Sequence, residues 1–233
     1  MLRQTAIAQP TSRPYSLGEI AKRPPSKSFP LADPLELMGA RMIFARNEEI
    51  YGEDEPADYL YKVVTGTART CKILSDGRRQ IGAFHLPGDV FGLEVGETHS
   101  CSAEAVTATT ILVIKRTALT ARAARDNELA SHLWMLTARE VERLQGHLLL
   151  LIKTAHERVA AFILEMAERT RDHSAVDLSM SRQDIADYLG LTIETVSRTL
   201  THFVEEAVIE LPSSRRIVLR NRSALKQLTA LGN

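Results

Sequence analysis

Apolar positions along the chain change period twice. From about residue 44 to 115 they come in short alternating or β-rich runs, such as 59–64 and 111–114. Turn signals cut these runs at Thr65-Gly66, Asp76-Gly77, Pro87-Gly88 and Gly92. Asp76-Gly77 between two runs predicts a tight hairpin with both central residues at positive φ. Several short strands at this spacing predict a small antiparallel barrel or sandwich.

Past Leu119 the turn signals stop and a helical period takes over. Leu129, Leu133 and Leu136 recur at helical spacing, and Val141, Leu144, Leu148, Leu151 and Ala155 then alternate by three and four. The pattern predicts one helix of roughly thirty residues with a narrow seam. Such a seam suits a two-helix coiled coil between subunits, with Leu133, Leu136, Val141, Leu144, Leu148 and Leu151 at the interface. The alternative is one side of a monomeric core.

Three short helices follow, over about 157–170, 181–189 and 192–206. Ser181-Arg-Gln-Asp184 has the form of a capping box with Asp in the usual Glu or Gln place. Gly190 ends the second helix and Thr192 caps the third. A three-residue turn carrying Gly between two short helices is the helix-turn-helix signature. Ile185, Ala186 and Leu189 are expected to pack on Val196 and Leu200, and residues 208–220 read as a two-stranded wing.

Composition adds limits. Hydrophobic residues at 44% and charged residues at 25% exclude wholesale disorder. Lys+Arg 29 against Asp+Glu 29 excludes a histone-like polycation but leaves room for a small DNA-reading face. Charge is uneven: residues 1–30 hold Arg3, Arg13, Lys22, Arg23 and Lys27 against Glu19, with Pro10, Pro14, Pro24, Pro25 and Pro30. This composition predicts a flexible tail. These patterns divide the chain into a tail (1–30), an antiparallel β-rich domain (31–120), a long helix carrying the leucine seam (121–155) and a winged helix-turn-helix (156–233), an α+β architecture. No uncharged apolar run reaches the roughly 18 residues of a membrane span, and the N-terminus lacks a signal-peptide core. The expected location is cytoplasmic, with no membrane partner.

Two long motifs carry a resemblance. DIADYLGLTIETVSRTL (184–200) resembles the recognition region of the CRP/FNR superfamily of bacterial transcription regulators, and DGRRQIGAFHLPGDVFG (76–92) resembles that family's β-roll core. The match covers roughly residues 30–225 and is closest to the FNR and FixK branches. It implies a β-roll for residues 31–120 and a dimerisation helix for 121–155, in a homodimer that binds a palindromic duplex operator and contacts RNA polymerase, not an enzyme. Glu194, Ser197 and Arg198 share one helix face. Arg can donate a bidentate pair to guanine and Glu can accept from cytosine N4; outside this motif, a solvated Glu–Arg pair would be the simpler reading. Ile193 stands where the cyclic-AMP receptor branch has a further base-reading arginine, which implies a TTGAT-type half-site. Arg182, Gln183, Thr192 and Thr195, with Arg215 and Arg216 on the wing, are candidates for phosphate contacts.

The sensor end is defined by what it lacks. Residues 1–70 contain no cysteine, and two thiols cannot supply the four that an FNR-type iron–sulfur cluster requires. The stretch 91–105 has no arginine for a cyclic phosphate and offers Glu94, Glu97 and Glu104 instead. The base-reading hydroxyls of the nucleotide-binding branch are replaced near Arg143 and Leu144. His85 and His99 lack the paired spacing of a cupin metal site. Cys71 and Cys101 read as buried small hydrophobes, with redox sensing as the alternative. The expectation is a FixK-type regulator of microaerobic or nitrogen-fixation genes, most simply an activator, with no cofactor and no metal. The alternatives are a ligand-gated relative and, without ligands or a nucleophile–base pair to support it, a jelly-roll enzyme.

Overall fold

The structure, a computed structural model, describes residues 34–170 and 172–230. The tail reading for 1–30 lies outside the described residues. Among the described residues eight strands come first: β1 Gly39–Phe44, β2 Glu49–Tyr51, β3 Tyr59–Thr65, β4 Ala68–Ile73, β5 Arg79–His85, β6 Val90–Phe91, β7 Ser102–Ala105 and β8 Thr109–Lys115. They form two antiparallel four-stranded sheets in the orders β1-β8-β3-β6 and β2-β7-β4-β5. The alternating pattern turns Phe44, Tyr51, Tyr61, Val63, Phe91 and Ile111 into a common interior, the burial that drives such a sandwich.

The β4–β5 turn differs from the expected two-residue form. Only Gly77 of the pair has positive φ, at 82°. The Gly77 amide donates to the Leu74 carbonyl at 2.9 Å, and the Leu74 amide donates to the Arg78 carbonyl at 2.8 Å. This is a three-residue loop, a turn followed by a left-handed Gly. Asp76 Oδ1 also accepts from the Arg78 amide at 3.0 Å, so its side chain completes the turn without its backbone leaving the common region.

The predicted thirty-residue helix is broken at both ends. A short helix α1 (Arg116–Ala123) precedes α2, which runs only over Asn127–Leu150. Asp126 starts α2, accepting from the amides of Glu128 and Leu129. A turn at 151–153 then ends it, and Thr154 with Glu157 makes a full capping box that starts α3 (Ala155–Arg169). Leu151 therefore lies in the turn after α2, and Ala155 belongs to the next helix. The leucine period alone did not register these capping residues.

The C-terminal part packs α3 with α4 (Arg182–Leu189), α5 (Ile193–Glu205) and an unanticipated α6 (Arg222–Ala230). The wing has three strands, because β9 (Ala175–Asp177) adds to β11 (Arg216–Leu219), whose other neighbour is β10 (Ile209–Ser213). Ile185, Ala186, Leu189, Val196 and Leu200 occupy one core, as expected. That core also takes Cys71, Ile81, Phe84 and Val106 from the β-roll. Phe84 sits 5.2 Å from the Tyr188 ring and 6.3 Å from Phe162, centre to centre.

Candidate nucleic-acid interface

The helix pair is built by three local devices. Ser181 Oγ accepts from the Asp184 amide while Asp184 Oδ2 accepts from the Ser181 amide, closing the box that starts α4. Gly190, at φ 62°, ends α4 in the left-handed region open to glycine. Thr192 Oγ1 accepts from the Thr195 amide at 3.2 Å and starts α5.

On α5, Val196, Thr199, Leu200 and Phe203 are buried. Glu194, Ser197 and Arg198 are exposed, so the three predicted base readers share the outer face of a helix whose inner face is spent on the core. The Glu194 carboxyl is held below its usual range by its own amide, then by the Thr192 hydroxyl and the Arg198 charge. It stays ionised, an acceptor at a helix N-terminus.

The phosphate candidates divide. Arg215 is exposed at the wing turn. Arg216 pairs across the wing sheet with Asp177 at 2.9 Å. Gln183 is exposed, and its Nε2 donates to Asp187 at 2.6 Å. Thr192 and Thr195 are joined through their hydroxyls at 3.1 Å. Arg182 is half-buried with Nη1 shielded from solvent and without a hydrogen-bond partner; burial pulls its guanidinium down from the usual value.

The six predicted interface residues also divide. Val141, Leu144 and Leu148 are 47%, 49% and 67% exposed, an apolar stripe facing away from the chain's own core. Leu133 and Leu136 instead pack in part on a cluster around Leu35, Leu112, Ile114 and Leu129, and Leu151 is half-buried beyond the helix end. Trp134, not singled out from the sequence, is 74% exposed and lies one heptad before Val141. Its spacing of seven from Val141, and of fourteen from Leu148, was the available signal.

In the β-roll interior, Tyr51 stacks on His99 at 3.6 Å and lies 5.0 Å from Tyr61, which stacks on Phe91 at 5.3 Å. Glu94 sits beside His99 at 3.2 Å. Burial raises the Cys71 thiol to about 11, and burial also raises Cys101, so both stay protonated hydrophobes at neutral pH. Among the described residues no three His, Cys, Asp or Glu side chains converge as metal ligands, and no helix is long and apolar enough to cross a membrane.

Two family models match the chain: a Crp-like helix-turn-helix domain over residues 157–228 and a cyclic nucleotide-binding domain over 41–126. The chain is 55% identical over 197 residues to the nitrogen fixation regulation protein FixK of Azorhizobium caulinodans, covering 82% of this chain and 79% of the relative. It belongs to the CRP/FNR superfamily, in the FixK branch. The FixK of Rhizobium meliloti is 41% identical, covering 84% of this chain and 90% of that protein. The solved structure of FixK2 from Bradyrhizobium japonicum aligns with a TM-score of 0.78 at 52% identity, over 82% of this chain and 97% of that one. These relatives are regulators, and this FixK-type chain is a transcription regulator, not an enzyme. In its β-roll Glu94 lies beside His99, which is stacked on Tyr51, and the buried Arg69 is bound to Glu104 and Asp184, so this guanidinium is already engaged by carboxylates.

Proposed function

We propose that this FixK-type regulator binds, as a homodimer in the cytoplasm and without cofactor or effector, a palindrome close to TTGAT, four unspecified pairs, ATCAA. The carrying observation is the outer face of α5, where Glu194, Ser197 and Arg198 stand exposed together. Arg198 donates to the guanine of each half-site; Glu194 accepts from the paired cytosine or a neighbouring adenine. Arg215, Gln183, Thr192 and Thr195 hold phosphates, with lesser shares for Arg216, which is paired with Asp177, and for Arg182, which is half-buried. The Trp134–Val141–Leu144–Leu148 stripe supports pairing of two α2 helices. That pairing sets two α5 helices about one helical turn apart on duplex DNA. The names of the relatives, nitrogen fixation regulation proteins, support a regulon of nitrogen-fixation or microaerobic genes, activated through contact with RNA polymerase. Selection of bound sites from random duplex DNA by the purified protein tests this reading. The expected result is the TTGAT palindrome with no added effector; enrichment of an unrelated or non-palindromic sequence contradicts it.

A further inference from the structure

Base reading and dimer pairing leave unexplained a buried ionic contact between the β-roll and α4. Arg69 on β4, only 6% exposed, donates from Nη1 to Asp184 Oδ1 at 2.9 Å and from Nε to Glu104 on β7 at 2.9 Å. Arg79 on β5 donates from Nη2 to the same Asp184 oxygen at 2.7 Å and from Nε to Asp187 at 2.8 Å. Asp184, 5% exposed, divides its oxygens cleanly. Oδ2 takes the Ser181 amide at 2.9 Å and hydroxyl at 2.8 Å; Oδ1 takes both arginines. One carboxylate thus starts α4 and ties it to two strands of the other domain.

The charges in this contact are nearly balanced, three carboxylates against two guanidinium groups. Removing one partner strands a charge in a buried site, so the contact favours being made as a whole. Against a well-packed apolar alternative such a network adds little net stability, and its directional hydrogen bonds are satisfied only with α4 seated against β4 and β5. Phe84 packs on Tyr188 on the same side of α4 and supplies the apolar part. With the contact closed, Glu194, Ser197 and Arg198 remain exposed.

We propose that Arg69 and Arg79 are positioning residues for DNA binding: acting through Asp184, they hold α4, and with it α5, in the orientation that binds operator without an effector. This rests on the effector-free reading above. In relatives gated by a ligand, some contact must change with occupancy; here fixed side chains make it.

The test uses the division of the Asp184 oxygens. Asp184→Asn keeps an oxygen for Ser181 and replaces the arginine acceptor with a donor. Arg79→Gln, on a side chain 24% exposed, attacks the same contact from the β-roll and keeps the test open should the first variant not fold. Each full-length variant is compared with the parent for operator Kd by fluorescence anisotropy with no effector. Circular dichroism, sedimentation and the rate of protease cleavage in the turn at 151–154 are measured alongside. The expected result is parental helix content and dimerisation, faster cleavage, and a Kd raised about 10-fold, as when the competent orientation falls to a tenth of the population. A lower melting temperature with parental Kd and cleavage would reduce the contact to a structural one and overturn the proposal, as would tighter binding. Failure of the parent to bind the duplex overturns the effector-free reading and the positioning role together. Parental binding with unchanged variants overturns the positioning role alone.

Discussion

Arg198 and Glu194 stand on a face whose exposure follows from helix spacing alone, so their place on the outer side of α5 was legible in the sequence. Arg198→Ala is expected to flatten preference at the guanine position, with about 1–3 kcal/mol of discrimination lost per half-site. Arg215→Ala should weaken all duplexes alike and lower the salt slope. Binding of each variant to operators with that G·C pair intact or swapped checks both; an Arg198→Ala protein that still rejects the swap is not missing the reader. His85 makes a prediction of a different kind. Its ring is buried against Phe91 at 4.5 Å, with Thr70 at 3.2 Å. Burial, then the charges of Arg143 and Arg169, hold its pKa well below the usual value. The unfolded chain therefore takes up a proton near pH 6.5 that the folded chain refuses. Stability is full above that pH and falls below it, by up to about 1.4 kcal/mol per unit. His85→Phe should flatten the melting-temperature slope between pH 7 and 5, and an equally steep slope would clear His85 of the effect. The Asp184 carboxyl runs the other way in cause: burial pushes it up, but the Ser181 amide and hydroxyl and then Arg69 and Arg79 outweigh it, leaving it below its usual value. Its contribution is present above about pH 4 and lost as pH falls through the lowered value.

Element boundaries were less legible than element types. Apolar spacing found α2 but overran its end, because a turn at 151–153 and the Thr154–Glu157 box that starts α3 interrupt a leucine period that itself continues. The same spacing placed Leu133 and Leu136 on the seam, whereas the β-roll cluster takes part of their surface and leaves the stripe from Trp134 to Leu148 outside. Leu148→Glu would set two like charges in that apolar seam, at a cost of about 3 kcal/mol or more. Sedimentation should show a shift toward monomer with loss of operator binding; an unchanged dimer would place the interface elsewhere. Gly190 tests the helix-turn-helix corner. A Cβ there meets only Arg158 Nη1 at 3.5 Å and Leu151 Cδ2 at 3.8 Å, ordinary contacts. Gly190→Ala should therefore carry just the left-handed backbone cost of about 1–2 kcal/mol, a drop of about 2–4 °C in melting temperature for each kcal/mol in a chain of this size. An unchanged melting temperature would mean that the corner relaxes.

At the scale of the whole molecule, the aromatic stack in the β-roll and the ionic contact beneath α4 lead to one behaviour. Cyclic AMP should neither raise the melting temperature nor change operator affinity; binding that appears only after cyclic AMP is added would overturn the reading of the β-roll. The sequence by itself determined the order of parts, the sandwich of short strands, the helix-turn-helix and the exposed outer face of α5. Each of these rests on period, capping or turn chemistry, which acts between residues a few positions apart. Tertiary structure alone decided which leucines α2 turns outward, that β9 joins the wing, and that Arg69 meets Asp184 across 115 positions and Arg79 meets it across 105. Nothing local marks such a pair, since an arginine suits a solvated surface as well as a buried carboxylate. Its partner is set only when the β-roll and the helix-turn-helix close on their shared apolar core and the remaining charges must find one another out of water.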